Sequence, residues 1–143
     1  MHEFWDAPFE MGVGEYIYAK VIAINERGSS VTSAQNPEGA KVEVVPSQMT
    51  SPTRGSDTDA YQVHLNWVAP FDGDSPIQSY ELALLDSSGD VWTAIIGTDE
   101  MGNFLGLEHT MTDNVVPGDS YTFKIRAKNK WGWGDYSDPT VTV

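Results

Sequence analysis

Fifteen residues near the start of the chain reappear, without a gap, near its end. Placing Lys20 over Lys124, an offset of 124 − 20 = 104, aligns Gly14 to Gly28 with Gly118 to Gly132. Gly14/Gly118, Lys20/Lys124, Ala23/Ala127, Asn25/Asn129, Gly28/Gly132 and, just beyond, Ser33/Ser137 are identical. An internal period constrains the fold more than any composition does, because each copy must be the same structural unit. A spacing near 100 residues is one β-sandwich module plus a short link. The copies are unequal: 13 residues stand before Gly14, whereas about 70 separate the second copy from the link. The first copy therefore lacks most of the strands that would cover its inner face, and burial of one small sheet does not offset the entropy of ordering it. The chain divides into residues 1–45, the C-terminal part of a module, and residues 46–143, a complete one. The first part belongs to a longer polypeptide, is completed by another chain, or is disordered alone; the first of these is preferred.

Composition narrows the class. Five Trp, six Tyr and five Phe, broken up by 13 Gly and 8 Pro, suit short strands and tight turns rather than long helices. The net charge of −13, from 21 acids against 8 bases, opposes non-specific attraction to nucleic-acid phosphates and anionic membranes. Four of the eight bases nevertheless fall together as Lys124, Arg126, Lys128 and Lys130, so the chain is electrically lopsided. With no cysteine there is no disulfide framework, thiolate metal site or thiol nucleophile, and the compartment stays open. Met1 to Phe9 has no basic n-region, and no apolar run approaches the roughly 18 residues of a membrane span.

Periodicity predicts about seven strands in the second part. Tyr61, Val63, Leu65 and Trp67 share one face of a strand, with His64 facing outward. After a turn with two prolines, Ile77 to Leu85 is a second strand, with Tyr80, Leu82 and Leu84 opposed to Glu81 and Ala83. Val91 to Ile96 and Leu107 to Thr112 are shorter. Ser120 to Asn129 alternates Tyr121, Phe123, Ile125 and Ala127 against Thr122, Lys124, Arg126 and Lys128. Thr140 to Val143 closes the chain. The expected core is Trp67, Tyr80, Tyr121, Phe123 and Ile125, each contributing on the order of 1.5 to 3 kcal/mol by burial.

The strand ending in Trp67, the loop from Pro70 and Pro76-Ile-Gln-Ser-Tyr80 resemble the B strand, BC loop and C strand of a fibronectin type III domain. Val115-Val-Pro-Gly-Asp-Ser-Tyr121 is similar to that family's tyrosine corner. Arg126-Ala-Lys-Asn-Lys-Trp-Gly-Trp-Gly-Asp-Tyr-Ser137 resembles its F strand and FG loop. The resemblance covers nearly all of residues 46–143 and implies an all-β, immunoglobulin-like sandwich of seven strands in two antiparallel sheets, preceded by a partial second module. Residues 1–45 match only through F and G, with Ile17 where the corner tyrosine would stand. Ala40-Lys-Val-Glu-Val-Val-Pro46 runs from one copy straight into a proline, which predicts limited swing between modules.

Catalytic constellations are not found in the sequence. His2, His64 and His109 are scattered, and no nucleophile elbow, zincin, Walker or dinucleotide motif occurs. The expectation is a non-enzyme without cofactor. Asp72 and Asp74 in the BC turn and Asp135 in the FG turn would reach one pole, but turn formation explains such aspartates better than calcium does. Trp131-Gly-Trp-Gly-Asp-Tyr136 is the most unusual stretch. One reading folds Trp131 or Trp133 back over Lys124, Arg126 and Lys128 in a cation–aromatic ladder like that of cytokine-receptor modules. The other presents the aromatics to a partner. Candidate protein-contact residues are Trp131, Trp133, Tyr136, Phe71, Asp72, Asp74, Lys124, Arg126 and Lys128. Glu81 is expected to make a surface ion pair of little worth with the basic stripe. The stripe itself could dock an acidic neighbouring module.

These readings converge on a structural or adhesive interaction module of a multi-repeat protein, with protein partners or neighbouring modules and neither nucleic-acid binding nor membrane insertion. Alternatives are a receptor's ligand-recognition module acting through the BC and FG loops, and an accessory module of a secreted hydrolase. Ile17 to Ser30 resembles repeats of large multi-module surface proteins, which favours an extracellular or cell-surface setting over an intracellular filament or cilium.

Overall fold

The hydrophobic alternation read in the sequence becomes two facing sheets in a computed structural model, which describes residues 12–35 and 39–142, the last two by backbone alone. His2 and Val143 lie outside the described residues. The chain separates into two compact units, Met1–Glu43 and Val44–Val143. Among the described residues every regular element is a strand. Among those residues no helix is long and apolar enough to cross a membrane.

The first unit holds β1 (Tyr16–Ile17), β2 (Ile24–Asn25), β3 (Gly28–Ser29) and β4 (Ala40–Lys41). Strand β1 pairs antiparallel with β4, and β2 with β3. The second unit holds β5 (Thr53–Arg54), β6 (Val63–Asn66), β7 (Ser79–Leu85), β8 (Trp92–Ile96), β9 (Glu108–Met111), β10 (Tyr121–Asn129), β11 (Gly132–Trp133) and β12 (Thr140–Thr142). One sheet runs β5-β6-β9; the other runs β11-β10-β7-β8, with β12 also on β10. Because β11 and β12 are two stretches of one return strand along β10, the second unit is a seven-stranded sandwich. The pairing of β7 with β8 slips between Leu82 and Ala83, so that Ile95 is an extra residue bulging from the free edge.

Between the sheets lie Met49, Val63, Leu65, Trp67, Tyr80, Leu82, Met111, Phe123, Ile125 and Ala127. Trp67 sits edge-on to Tyr80, with ring centroids 6.3 Å apart, and against Phe104 at 6.2 Å. Tyr121 is only half-buried: its hydroxyl accepts from the Val116 NH at 2.7 Å and donates to the Asn114 carbonyl at 3.1 Å. The tyrosine expected in the core thus stands at its edge and ties its hydroxyl to an exposed loop. Two further details differ from the sequence reading. Tyr61 precedes the strand and is exposed, because Asp59 turns the chain there by accepting from the Tyr61 and Gln62 amides. His64 does face away from Leu65 but is buried, since the backbone of Gly55 crosses its ring and Glu108 stands 3.5 Å from its Nε2.

The sequence repeat is also a hydrogen-bond repeat. In the first unit the Ser30 NH donates to the Ala23 carbonyl at 2.7 Å and the Ser33 NH to the Val21 carbonyl at 2.8 Å. The Val21 NH donates to Ser33 Oγ at 2.8 Å, and the Arg27 NH to Asn25 Oδ1 at 2.9 Å. In the second unit the aligned bonds are Gly134 to Ala127 at 2.8 Å, Ser137 to Ile125 at 2.7 Å, Ile125 to Ser137 Oγ at 3.1 Å and Trp131 to Asn129 Oδ1 at 2.9 Å. The register matches as well: Ile24↔Ser29 and Asn25↔Gly28 stand where Lys128↔Trp133 and Asn129↔Gly132 do.

Candidate protein-contact face

Strand β10 places Phe123, Ile125 and Ala127 inward, so the period of two turns Lys124, Arg126 and Lys128 onto the outer face of the larger sheet. The return strand brings Trp133 and Tyr136 over them. The Lys124 ammonium lies 4.3 Å from the Trp92 ring centroid and 4.1 Å from that of Tyr136. The Arg126 guanidinium lies 4.4 Å from Tyr136 and 4.5 Å from Trp133, and Lys128 5.1 Å from Trp133. The order across the face is therefore Trp92, Lys124, Tyr136, Arg126, Trp133, Lys128, with every cation between or against rings. Each such contact is worth about 0.5 to 1 kcal/mol where exposed. Ala83, buried between Lys124 and β8, offers only a methyl group, too small to keep Trp92 from Lys124.

The ladder's acid is not a surface group. Glu81 is 4% exposed and takes Arg126 Nη2 at 2.9 Å on one oxygen and the Tyr136 hydroxyl on the other. The expected low-value surface pair is thus replaced by a buried one, with Arg126 and Tyr136 each holding one oxygen of the carboxylate. Burial first, and then Glu81 as acceptor and negative neighbour, push the Tyr136 phenol up to about 12, with Arg126 opposing. Lys128 pairs with Asp99. Arg126 and Lys128 are therefore matched by acids of the same unit, which shrinks the field available to an acidic neighbour.

The remaining candidates lie at the loop pole. Trp131 is 57% and Phe71 56% exposed. Lys130 stands 5.2 Å from the Trp131 ring. Asp72 accepts from the Asp74 amide at 2.8 Å, and Asp74 has φ +62°, so both are shaping the BC turn. At the other pole Asp86 does the same for its turn, accepting from Ser88, Asp90 and Val91; these bonds, Ser88 foremost, lower its pKa. The structure thus gathers Lys124, Arg126, Lys128, Trp133 and Tyr136 on one face and leaves Trp131, Phe71, Asp72 and Asp74 to the pole. Trp92 and Asp99 were missed by sequence reasoning, because a contact across β7 depends on register that no local pattern records.

Comparison with known proteins agrees with this architecture. The sequence profile of the fibronectin type III domain matches residues 46–143. A titin homolog of Caenorhabditis elegans is 35% identical over 88 residues, 61% of this chain and 0%, to the nearest per cent, of its own length. The neural cell adhesion molecule L1 of Rattus norvegicus is 32% identical over 84 residues, 57% of this chain and 6% of its own. Among solved structures, domains A168–A170 of titin superpose with a TM-score of 0.62 at 25% identity, covering 90% of this chain and 40% of that one. The chain thus spans less than a tenth of these two curated relatives, both of which are far larger proteins. With the profile, the sandwich topology and the tyrosine corner in agreement, the chain belongs to the fibronectin type III domain family, as a module of the kind found in multi-domain adhesion and structural proteins.

Proposed function

We propose that the chain is a spacer and docking element of a multi-repeat protein, non-catalytic and without cofactor, in which residues 1–45 are the F and G portion of a module and residues 46–143 a whole one. The observation that carries this reading is the recurrence of one hairpin 104 residues apart, with the same register and four of the same hydrogen bonds, which is what serial duplication of a module leaves behind. A spacer must resist tension as a unit. Pulled by its ends, the second unit should rupture in one discrete event releasing roughly 330 Å of chain, at about 3.4 Å per residue. Smooth extension with no such event would remove the spacer role.

For docking, the ladder supplies a stiff face and the exposed Trp131 and Phe71 supply the anchors. Trp131→Ala and Phe71→Ala should weaken association between copies, measured by sedimentation velocity, with the melting temperature unchanged. Trp133→Ala should instead lower the melting temperature by several degrees. If it does so with association intact, Trp133 and the ladder are framework, not contact. We place the array at the cell surface, the setting in which a cell adhesion molecule such as L1 works; labelling of permeabilised cells alone would move it inside.

A further inference from the structure

The segment that leads into the second unit does not hang from it. The Val44 NH donates to the Gly73 carbonyl at 2.9 Å and the Ser47 NH to the Phe71 carbonyl at 3.0 Å, both in the BC loop. On its other side the Gln48 side-chain Nε2 donates to the Tyr136 carbonyl at 2.9 Å and the Ser51 hydroxyl to the Asp138 carbonyl at 2.8 Å, both on the return strand. Asn129, at the end of β10 and 1% exposed, joins the two sides. Its side-chain NH2 donates to the Val44 carbonyl at 2.6 Å and to the Asp72 carbonyl at 2.9 Å, while its Oδ1 takes the Trp131 NH at 2.9 Å. One amide thus ties together the lead-in segment, the BC loop and the FG turn, using all but one of its hydrogen-bonding positions.

Two glycines leave room for this. A Cβ on Gly73, whose φ is +72°, would lie 2.0 Å from the Val44 carbonyl oxygen, and one on Gly134 would lie 2.2 Å from that of Pro46. No other residue lets the segment lie so close to both loops. The aligned Asn25 already holds the Arg27 NH by its Oδ1, as Asn129 holds that of Trp131.

We propose that Asn129 is the lock that fixes the direction of the chain entering the module, and that Asn25 is the same lock for the module to which the first unit belongs. This deepens the spacer reading and rests on it: a stack of modules is stiff only where the incoming chain is held by more than its covalent bond. The BC and FG loops, taken by analogy as recognition loops, are by this assignment first of all a clasp for their own chain.

Asn129→Asp tests it in the full chain, since the carboxylate keeps the bond from Trp131 and loses both donors. Hydrogen exchange at the Val44 and Ser47 amides should quicken at least tenfold, while the amides of Phe123 and Ile125 stay protected. Gly73→Ala, which forces the segment off the loop without touching Asn129, should do the same and serves if the first variant does not fold. Unchanged exchange at Val44 and Ser47 overturns the proposal, as does equal loss in β10, which would make Asn129 an ordinary core residue. Small-angle scattering on the same samples separates the two claims. If exchange quickens while the distribution of chain dimensions stays the same, the lock stands and the stiff-spacer reading falls.

Discussion

The hairpin of the first unit and that of the second have the same turn, the same register and the same bonds at Ser33 and Ser137, yet they live in different environments. In the second, Phe123, Ile125 and Ala127 are sealed under the β5-β6-β9 sheet. In the first, the aligned Ala19, Val21 and Ala23 are exposed, Val21 at 68%. Backbone hydrogen bonds can therefore draw the hairpin, but they do not make a core. The net gain per bond is about 1 kcal/mol, comparable to the entropy of fixing one residue, so stability has to come from the apolar area a second sheet removes from water.

The outer faces differ as well. Lys124, Arg126 and Lys128 are matched in the first unit by Lys20, Ile22 and Ile24, and Trp133 and Tyr136 by Ser29 and Thr32. The ladder belongs to the second copy and not to the repeat. What the two copies share is the Asn, Gly and Ser framework of the hairpin, which is what a duplicated module needs for folding; what they do not share is where an individual module acquires its own surface.

The comparison can be broken most easily at its centre. Ile125→Ala should cost about 2 to 5 kcal/mol in urea unfolding, whereas Val21→Ala should change stability by less than about 0.5 kcal/mol. Equal effects would mean that the first unit's inner face is covered in solution. Next, Arg126→Ala leaves Glu81 buried with its charge unmatched. Since the Arg126 side chain is 26% exposed and water can reach in, a loss of about 2 to 3 kcal/mol is expected, below the range for fully enclosed pairs. Ile22→Ala at the aligned position should be near neutral, and a second variant, Arg126→Ala with Glu81→Gln, should recover part of the loss.

The smallest effect concerns pH. The Tyr136 phenol has its folded pKa raised to about 12 above an ordinary value near 10, so its stabilising contribution is complete below pH 10 and is lost as pH rises through the folded value. A melting series between pH 9 and pH 11.5 should fall more steeply for the native chain than for Tyr136→Phe. Parallel curves would show that the phenol is open to water. His109 provides the acid-side counterpart: burial lowers its pKa, so its contribution is present above the ordinary imidazole value of about 6.5 and wanes as pH falls below it.

Much of the fold was legible because strands B, C and F carry strict alternation. Val63/Leu65, Tyr80/Leu82 and Phe123/Ile125 read as inward from their spacing alone, and all are buried. What stayed hidden depends on pairing between distant strands. Nothing beside Trp92 announces that it will meet Lys124 across Ala83, and Glu81 looks like any outward acid until Arg126 and Tyr136 take its two oxygens. Asn129 reads as a turn residue, which it is through Oδ1; its two other bonds reach back 57 and 85 positions in the chain. Phe71 and Trp131 were legible as exposed aromatics because turns with Gly and Pro push large side chains outward.

The slip at Ile95 in β8 bears on how a module of this family behaves beside others. Modules joined in series meet one another at local concentrations near millimolar, and sandwiches of similar sequence can zip together through open strand edges, the usual route by which tandem domains misfold. A bulge on that margin breaks the regular ladder of amides and carbonyls that a neighbouring strand would need for pairing. One surplus residue thus makes this margin of the second unit a poor template for a neighbouring strand.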